Sequence, residues 1–233
     1  MLILFDVDGT LTPSRGTIDP EFKQWLLNDC KHEFRLITGS DPDKTIEQVG
    51  EDLWAHGITY NCAANHVFNH GKETYKSTWQ LPEDLEWMLN ARLFSSMWPI
   101  RTGKHIEHRV GLANFSTLGR NATPEQRKAY FEWDNIWNER KYTTILINSI
   151  WTDVEATVAG ETGIDIYKKG TGKEQVLSTL KFDQPIHFFG DRQEPGGNDH
   201  SLAQAILTNN MGSCYHVNNW QHSWQLLRTL NDK

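Results

Sequence analysis

Leu2-Ile3-Leu4-Phe5-Asp6-Val7-Asp8-Gly9-Thr10-Leu11-Thr12 is the stretch on which the rest of the chain turns. Four apolar residues run into an acidic, glycine-bearing turn. A short continuous apolar run closed this way reads as a strand buried on both faces, as in a parallel sheet. Asp6 and Asp8 lie two apart, so on an extended strand both carboxylates point the same way. In open parallel sheets that direction leads into the crevice beyond the strand ends. Two adjacent carboxylates repel, and a bound cation relieves the repulsion. A carboxylate is also a competent nucleophile toward phosphorus, and a second one can move the proton of the leaving or accepting oxygen.

Outward from this strand the chain alternates. Asp19-Pro20 predicts a helix start, with Phe22, Trp25 and Leu26 as its apolar face. Phe34–Thr38 predicts a second strand, Asp41-Pro42 a second helix with Ile46 and Val49 inward, and Thr59–Ala63 a third strand. The same alternation returns late: a helix over Gly172–Lys181, a strand over Pro185–Gly190, a helix over Ser201–Leu207 and a strand over Ser213–Val217. This is the pattern of an α/β, doubly wound, Rossmann-like parallel-sheet core.

Between the two halves the pattern changes. Leu85–Met97 has helical periodicity, and His105–Arg109 and Leu112–Thr117 read as paired strands around Val110-Gly111. Thr123-Pro124-Glu125-Gln126 is a capping box opening a helix toward Arg140. Tyr142–Trp151 reads either way: Thr143–Ile147 favours a strand, whereas the length and flanks allow a helix. Asp153–Val158 and Gly163–Tyr167 form a hairpin pattern across Gly160. The expected organisation is a core of residues 1–77 and 169–233 split around an inserted α+β cap, 78–168.

Further acids and hydroxyls follow the predicted core strands. Gly39-Ser40-Asp41 follows the second; Gly190-Asp191 and then Gly196-Gly197-Asn198-Asp199 follow the late one. Three strand-end carboxylates, Asp6, Asp8 and Asp191, make a hard-oxygen site suited to magnesium. A lysine and a hydroxyl nearby would stabilise charge on a transferring phosphoryl group.

Bulk properties narrow the class. The 233 residues carry a formal charge of -7, which argues against a nucleic-acid binder. Three widely spaced cysteines, Cys30, Cys62 and Cys214, form no disulfide framework. No apolar run reaches the ~20 residues of a membrane span, and the N-terminus lacks a leader pattern, so no membrane association and a cytoplasmic address are expected. Gly170-Thr171-Gly172-Lys173 lacks the upstream glycine and following hydroxyl of a P-loop.

Asp-x-Asp-Gly-Thr-Leu-Thr after an apolar strand is the signature of the haloacid-dehalogenase-like phosphotransferases. The chain also resembles eukaryotic phosphomannomutases, in order and spacing, at Leu4–Thr12, Gly39–Asp41 with Glu47–Gly50, Ile106–Gly111, Gly119-Arg120 and Ile186–Asp199. The resemblance implies interconversion of mannose 6-phosphate and mannose 1-phosphate, which supplies activated mannose such as GDP-mannose. It implies magnesium, a hexose 1,6-bisphosphate activator, a cap closing over the core, and a homodimer. It makes Asp6 the nucleophile and Asp8 the general acid/base. Ser40 would bond the phosphoryl group, and Lys173 would face it. Asp191 would ligate magnesium with Asp6 and the Asp8 carbonyl, supported by Asp199. Arg15, Arg109, Arg120 and Arg127 would bind the second phosphate, and Asp165 the sugar hydroxyls. On the residues alone, Ser40 also reads as a turn hydroxyl, Lys173 as an exposed helix-start lysine and Asp199 as a helix N-cap. The four arginines equally read as surface charges, and Asp165 as the polar face of a strand.

The chain departs from that family at several places. Ala64-Asn65-His66 stands for Glu-Asn-Gly, Thr171-Gly172 for Trp-Asp, Gly163 for a sugar-contacting serine and Lys168-Lys169 for a Pro-acidic pair. Sugar selectivity is where these bear. A sugar-phosphate phosphatase of the same superfamily would share Asp6, Asp8, Lys173 and Asp191 but needs no second phosphate site. A non-catalytic sugar-phosphate binding protein would not need the intact acids.

Overall fold

The computed structural model describes residues 1–180 and 184–231. In chain order its elements are β1 (Leu2–Phe5), α1 (Pro20–Asn28), β2 (Glu33–Ile37), α2 (Pro42–Val49), the single turn α3 (Glu51–Trp54), β3 (Ile58–Asn61), β4 (His66–Asn69) and β5 (Lys72–Lys76). Then come α4 (Glu83–Ser95), β6 (Ile106–Arg109), β7 (Leu112–Phe115), α5 (Pro124–Trp137), α6 (Glu139–Ile150), β8 (Val154–Ala159) and β9 (Gly163–Lys168). A 3-10 helix (Lys173–Thr179) leads to β10 (Ile186–Gly190), α7 (His200–Thr208), β11 (Gly212–His216) and α8 (Trp220–Asn231).

Two compact units result. One comprises Met1–Ser77, Thr171–Pro195 and the chain from Asp199 onward; the other comprises Thr78–Gly170 with Gly196–Asn198. The first holds a sheet of order β11-β10-β1-β2-β3-β4-β5. Strands from β11 to β3 run parallel, whereas β4 and β5 add an antiparallel hairpin that the sequence reading did not anticipate. All four residues of β1 are buried. Ile3 and Phe5 pack on one apolar cluster with Phe22, Leu26 and Leu36; Leu2 and Leu4 pack on another with Val176, Phe188 and Ile206. Burial on both faces is why this run is continuously apolar rather than alternating.

Local chemistry sets the helix starts. Asp19 accepts from the backbone N–H groups of Glu21 and Phe22, and Asp41 from that of Lys44. Each is followed by proline at the first helical position, where no donor is lost. One expectation is corrected, one open reading is settled and one is refined. The helix opened by Thr123 stops at Trp137, because Asn138 adopts left-handed φ 54°. Thr143–Ile147 is helical: Thr143 and Ile147, one turn apart, are both buried, so packing overrides β-branched propensity. The predicted Gly172–Lys181 helix is a 3-10 helix over Lys173–Thr179, Lys181 lying outside the described residues. There the Ser178 and Thr179 hydroxyls donate to the carbonyls of Gln175 and Val176, competing for acceptors of an α-helical ladder.

The second unit is an antiparallel sheet of order β6-β7-β9-β8. One face packs, through Ala113, Phe115, Ala156, Ile164 and Ile166, on Leu85, Leu89 and Ile147 of the helices.

Candidate active site

In the first unit, β1 delivers Asp6 and β10 delivers Asp191 beyond neighbouring strand ends, and Asp199 precedes α7. Carboxylate oxygens of Asp6, Asp191 and Asp199 lie within 4.8 Å of one another. Two glycines allow this crowding. A β-carbon on Gly9, whose φ is +81°, would sit 2.5 Å from Asp191 Oδ2, and one on Gly190 2.5 Å from Asp199 Oδ2.

Lys173 is buried among these acids. Its Nζ donates to Asp6 Oδ1 and to Asp199 Oδ1, each at 2.6 Å. The segment carrying it is tied to the end of β3. There Cys62, Ala63 and Ala64 take φ values of 50°, 55° and 69°, a left-handed conformation that is costly without glycine. That turn presents the Ala63 carbonyl to Gln175 Nε2, while Asn65 Nδ2 donates to the Thr171 carbonyl. Asp199 occupies the cap position of α7, yet its side chain makes no capping bond. It is spent instead on Lys173 and, through Oδ2, on the Arg192 N–H.

Burial raises the Asp6 carboxyl well above its usual range; Lys173 pulls the other way, while Asp199 and Asp191 add to the rise. Burial and then Asp199 push Asp191 to about 7. Burial works against the Lys173 ammonium, but Asp199 and Asp6 outweigh it and raise its pKa. The cluster is thus short of positive charge. Its hard oxygens and glycine-lined approach fit a magnesium ion.

Asp8 has a separate set of partners. Lys44 Nζ donates to its Oδ2 at 2.9 Å; the Arg15 backbone N–H and Gln48 Nε2 donate to its Oδ1 at 2.7 and 2.9 Å. The Ser40 hydroxyl lies 3.4 Å from Asp8 Oδ2 and accepts from Lys44 at 3.0 Å. Burial alone would raise Asp8, but Lys44, Arg15 and Gln48 together hold it down at about 2. Asp8 is therefore an ionised proton acceptor at neutral pH. Lys44 was not singled out from the sequence, and Gln48 stood only within the Glu47–Gly50 stretch, with no role assigned. Their signal was an i, i+4 pair on the helix opened by Asp41-Pro42.

The remaining candidates lie in the second unit. Glu107 joins Arg109 and Arg120: its Oε1 accepts from Arg109 Nε at 2.6 Å and its Oε2 pairs with Arg120 Nε at 2.5 Å. Burial, then the Arg109 charge, lowers the Arg120 pKa, with Glu107 and Asp165 opposing. Asp165 Oδ1 accepts from Asn114 Nδ2 at 2.6 Å. Arg127 is bound elsewhere, with Nη2 on Glu161 at 2.9 Å and Nη1 on the Thr162 hydroxyl at 3.4 Å. Glu107, which organises two of the arginines, had no signal beyond its place in the Ile106–Gly111 stretch.

Residues 24–230 match the family model described as eukaryotic phosphomannomutase. The chain is 34% identical over 219 residues to phosphomannomutase 1 of Mus musculus, covering 87% of this chain and 82% of that one. It is 31% identical over 220 residues to a phosphomannomutase of Oryza sativa subsp. indica, covering 89% and 88%. Among solved structures, the C-terminal domain of trehalose-6-phosphate phosphatase from C. albicans superposes with a TM-score of 0.63 at 15% identity, covering 99% of this chain and 91% of that one. A haloacid dehalogenase-like hydrolase from Bacteroides thetaiotaomicron gives 0.59 at 12%, covering 98% of each. These structural likenesses are of fold alone. The sequence matches span most of the molecule, and by them the chain belongs to the eukaryotic phosphomannomutase family.

Proposed function

We propose that this protein interconverts mannose 6-phosphate and mannose 1-phosphate through a phosphoryl group carried on Asp6. The observation that carries this reading is the Arg109–Glu107–Arg120 pairing. A mutase must hold its sugar by the phosphate that is not being transferred, and a phosphatase has no such need. Guanidinium groups suit that task through their planar donors.

In this reading Asp6 attacks phosphorus, the bond to the donor oxygen breaks as Asp8 returns to that oxygen the proton it takes up in the other half of the cycle, and Lys173 stabilises charge on the phosphoryl oxygens. Asp8 takes the proton of the sugar hydroxyl as that hydroxyl attacks the aspartyl-phosphate, and the Asp6 carboxylate leaves. Ser40 bonds the phosphoryl group. When bound by Asp6, Asp191, the Asp8 carbonyl and the supporting Asp199, magnesium would neutralise charge on phosphate and carboxylate alike. A hexose 1,6-bisphosphate would load Asp6. Residues 1–77 and 169–233 are assigned to this core chemistry and 78–168 to the cap. Arg15 and Arg127 remain assigned to phosphate, and Asp165 to sugar hydroxyls.

The reading extends to a homodimer. Trp87, Phe94, Met97, Ile136, Tyr142 and Ile145 of the cap helices and their flanks are large apolar side chains left exposed, the kind of surface that a second copy covers. It also extends to the cytoplasm, where free cysteines stay reduced. No helix among the described residues is long and apolar enough to cross a membrane.

Phosphorus NMR tests the activity, using purified protein with magnesium, mannose 1-phosphate and a trace of hexose 1,6-bisphosphate. Conversion to mannose 6-phosphate, absent in Asp6→Asn, is expected. Steady release of inorganic phosphate instead would make the protein a phosphatase.

A further inference from the structure

The cap sheet has two unlike faces. Ala113, Phe115, Ala156, Ile164 and Ile166 enter the apolar cluster. Their strand neighbours Asn114, Thr157 and Asp165 therefore project from the other face, because side chains alternate along a strand. The ladder registers set these in one row. Asn114 lies opposite Asp165 and Asp165 opposite Thr157, with Glu107 opposite Asn114 at the far end.

This row contains polar atoms that nothing satisfies. Asn114 Nδ2 donates to Asp165 Oδ1, which leaves the amide oxygen facing away from it. Asn114 Oδ1, Thr157 Oγ1 and, bound to Glu107 at the row's end, Arg120 Nη2 are all buried without a hydrogen-bond partner among the described residues. Asn114 is only 6% exposed. An orphan of this kind is costly, so several along one row of one face mark a place where a ligand supplies the missing bonds. Gly163 makes the room: a β-carbon there would sit 2.8 Å from Asn114 Nδ2.

The chemistry of the row selects the ligand. A guanidinium N–H suits an anion, but an amide oxygen would repel one and needs a donor. A hydroxyl both donates and accepts. Together they complement a polyol that bears a phosphate, and not a phosphate alone. We propose that Asn114 and Thr157 are specificity-determining residues that read the hydroxyls of the sugar, Asn114 Oδ1 accepting from one and Thr157 Oγ1 bonding another. This inference rests on the hexose-phosphate reading above.

The test compares wild type with Thr157→Val, which keeps the branched shape, and with Asn114→Ala. Calorimetry measures binding of mannose 6-phosphate, of its singly deoxygenated analogues and of inorganic phosphate, alongside kcat and KM. Thr157→Val is expected to weaken mannose 6-phosphate binding about threefold to tenfold, raising KM more than it lowers kcat. Inorganic phosphate binding should not change. One deoxy sugar should bind wild type and Thr157→Val equally, because the lost hydroxyl and lost partner are the same bond. Wild-type affinities for every sugar, or an equal loss for inorganic phosphate, would overturn the proposal. If wild type binds mannose 6-phosphate without turning it over, the mutase reading fails and the binding ratios still decide the subsite. If it binds no hexose phosphate, both fall. Should Asn114→Ala fail to fold, Thr157→Val decides alone.

Discussion

The acidic cluster and the polar face of the cap sheet are deficient in opposite ways. In the cluster Lys173 donates to both Asp6 and Asp199, and beside it Lys44, Gln48 Nε2 and the Arg15 N–H donate to Asp8. What is missing is positive charge, and burial drives Asp6 and Asp191 toward protonation as a result. In the second unit the charges have partners: Glu107 is shared by Arg109 and Arg120, and Glu161 pairs with Arg127 apart from them. What is missing there are bonding partners. A region short of charge invites an ion and holds its groups rigid for chemistry. A region short of partners invites a hydroxyl-bearing ligand.

The comparison breaks most visibly at the nucleophile. Asp6→Asn should lower turnover by at least about 10³-fold in the phosphorus NMR assay. It should leave the metal-free melting temperature unchanged or higher, since a buried like charge is removed. A lowered melting temperature would mean that the cluster is not charge-frustrated. Lys173→Met should act on both axes, losing activity and costing about 3–5 kcal/mol in urea unfolding, because buried carboxylates lose their cation.

Metal and pH sharpen the same contrast. Asp191 is an acid whose folded pKa, about 7, exceeds its usual 3.8, so between these values the folded chain holds a proton that the unfolded chain has lost. By that sign, Asp191 costs metal-free stability as pH rises from about 4 to about 7, at up to roughly 1.4 kcal/mol per unit. Asp8, held at about 2, works in the other window: its stabilisation is present above about 4 and fades as pH falls toward 2. Magnesium binds the ionised cluster, so it should raise the melting temperature more at pH 8 than at pH 5. An equal rise at both would remove the charge deficit from the account.

Smaller effects belong to the cap. Arg120→Lys keeps the charge but loses the planar fork, and should raise KM about tenfold with little change in kcat. Gly163→Ala should displace the Asn114 amide and raise KM a few-fold. If it changed melting temperature alone, Asn114 would be a packing residue.

Several parts of this were legible in the sequence because they rest on local chemistry. The buried run of β1, the Asp-Pro starts of α1 and α2 and the Thr123 capping box all follow from residues within a few positions. Other parts were not. The β4–β5 hairpin and α8 went unread, although Trp220 and Trp224 stack on Phe22 across the chain. The late helix was legible, but not its 3-10 type, because its competing hydroxyls are weak signals. Lys44 drew no reading from the sequence, and only the approach of Asp8 gives it a task.

By itself the sequence determined an acidic, strand-end motif, the α/β alternation around an inserted segment, and a resemblance that implied the family. Tertiary structure decided which charges meet. It put Lys173 between two acids 167 and 26 positions away, gave Asp8 to Lys44 rather than to the Asp6 cluster, and bound Arg127 to Glu161 apart from Arg109 and Arg120. It also left Asn114 and Thr157 without partners. The physical reason is that turn and cap energies act over a few residues. The Coulomb and desolvation energies that assign a buried charge its partner, or a buried polar atom none, exist only once distant strands have closed together.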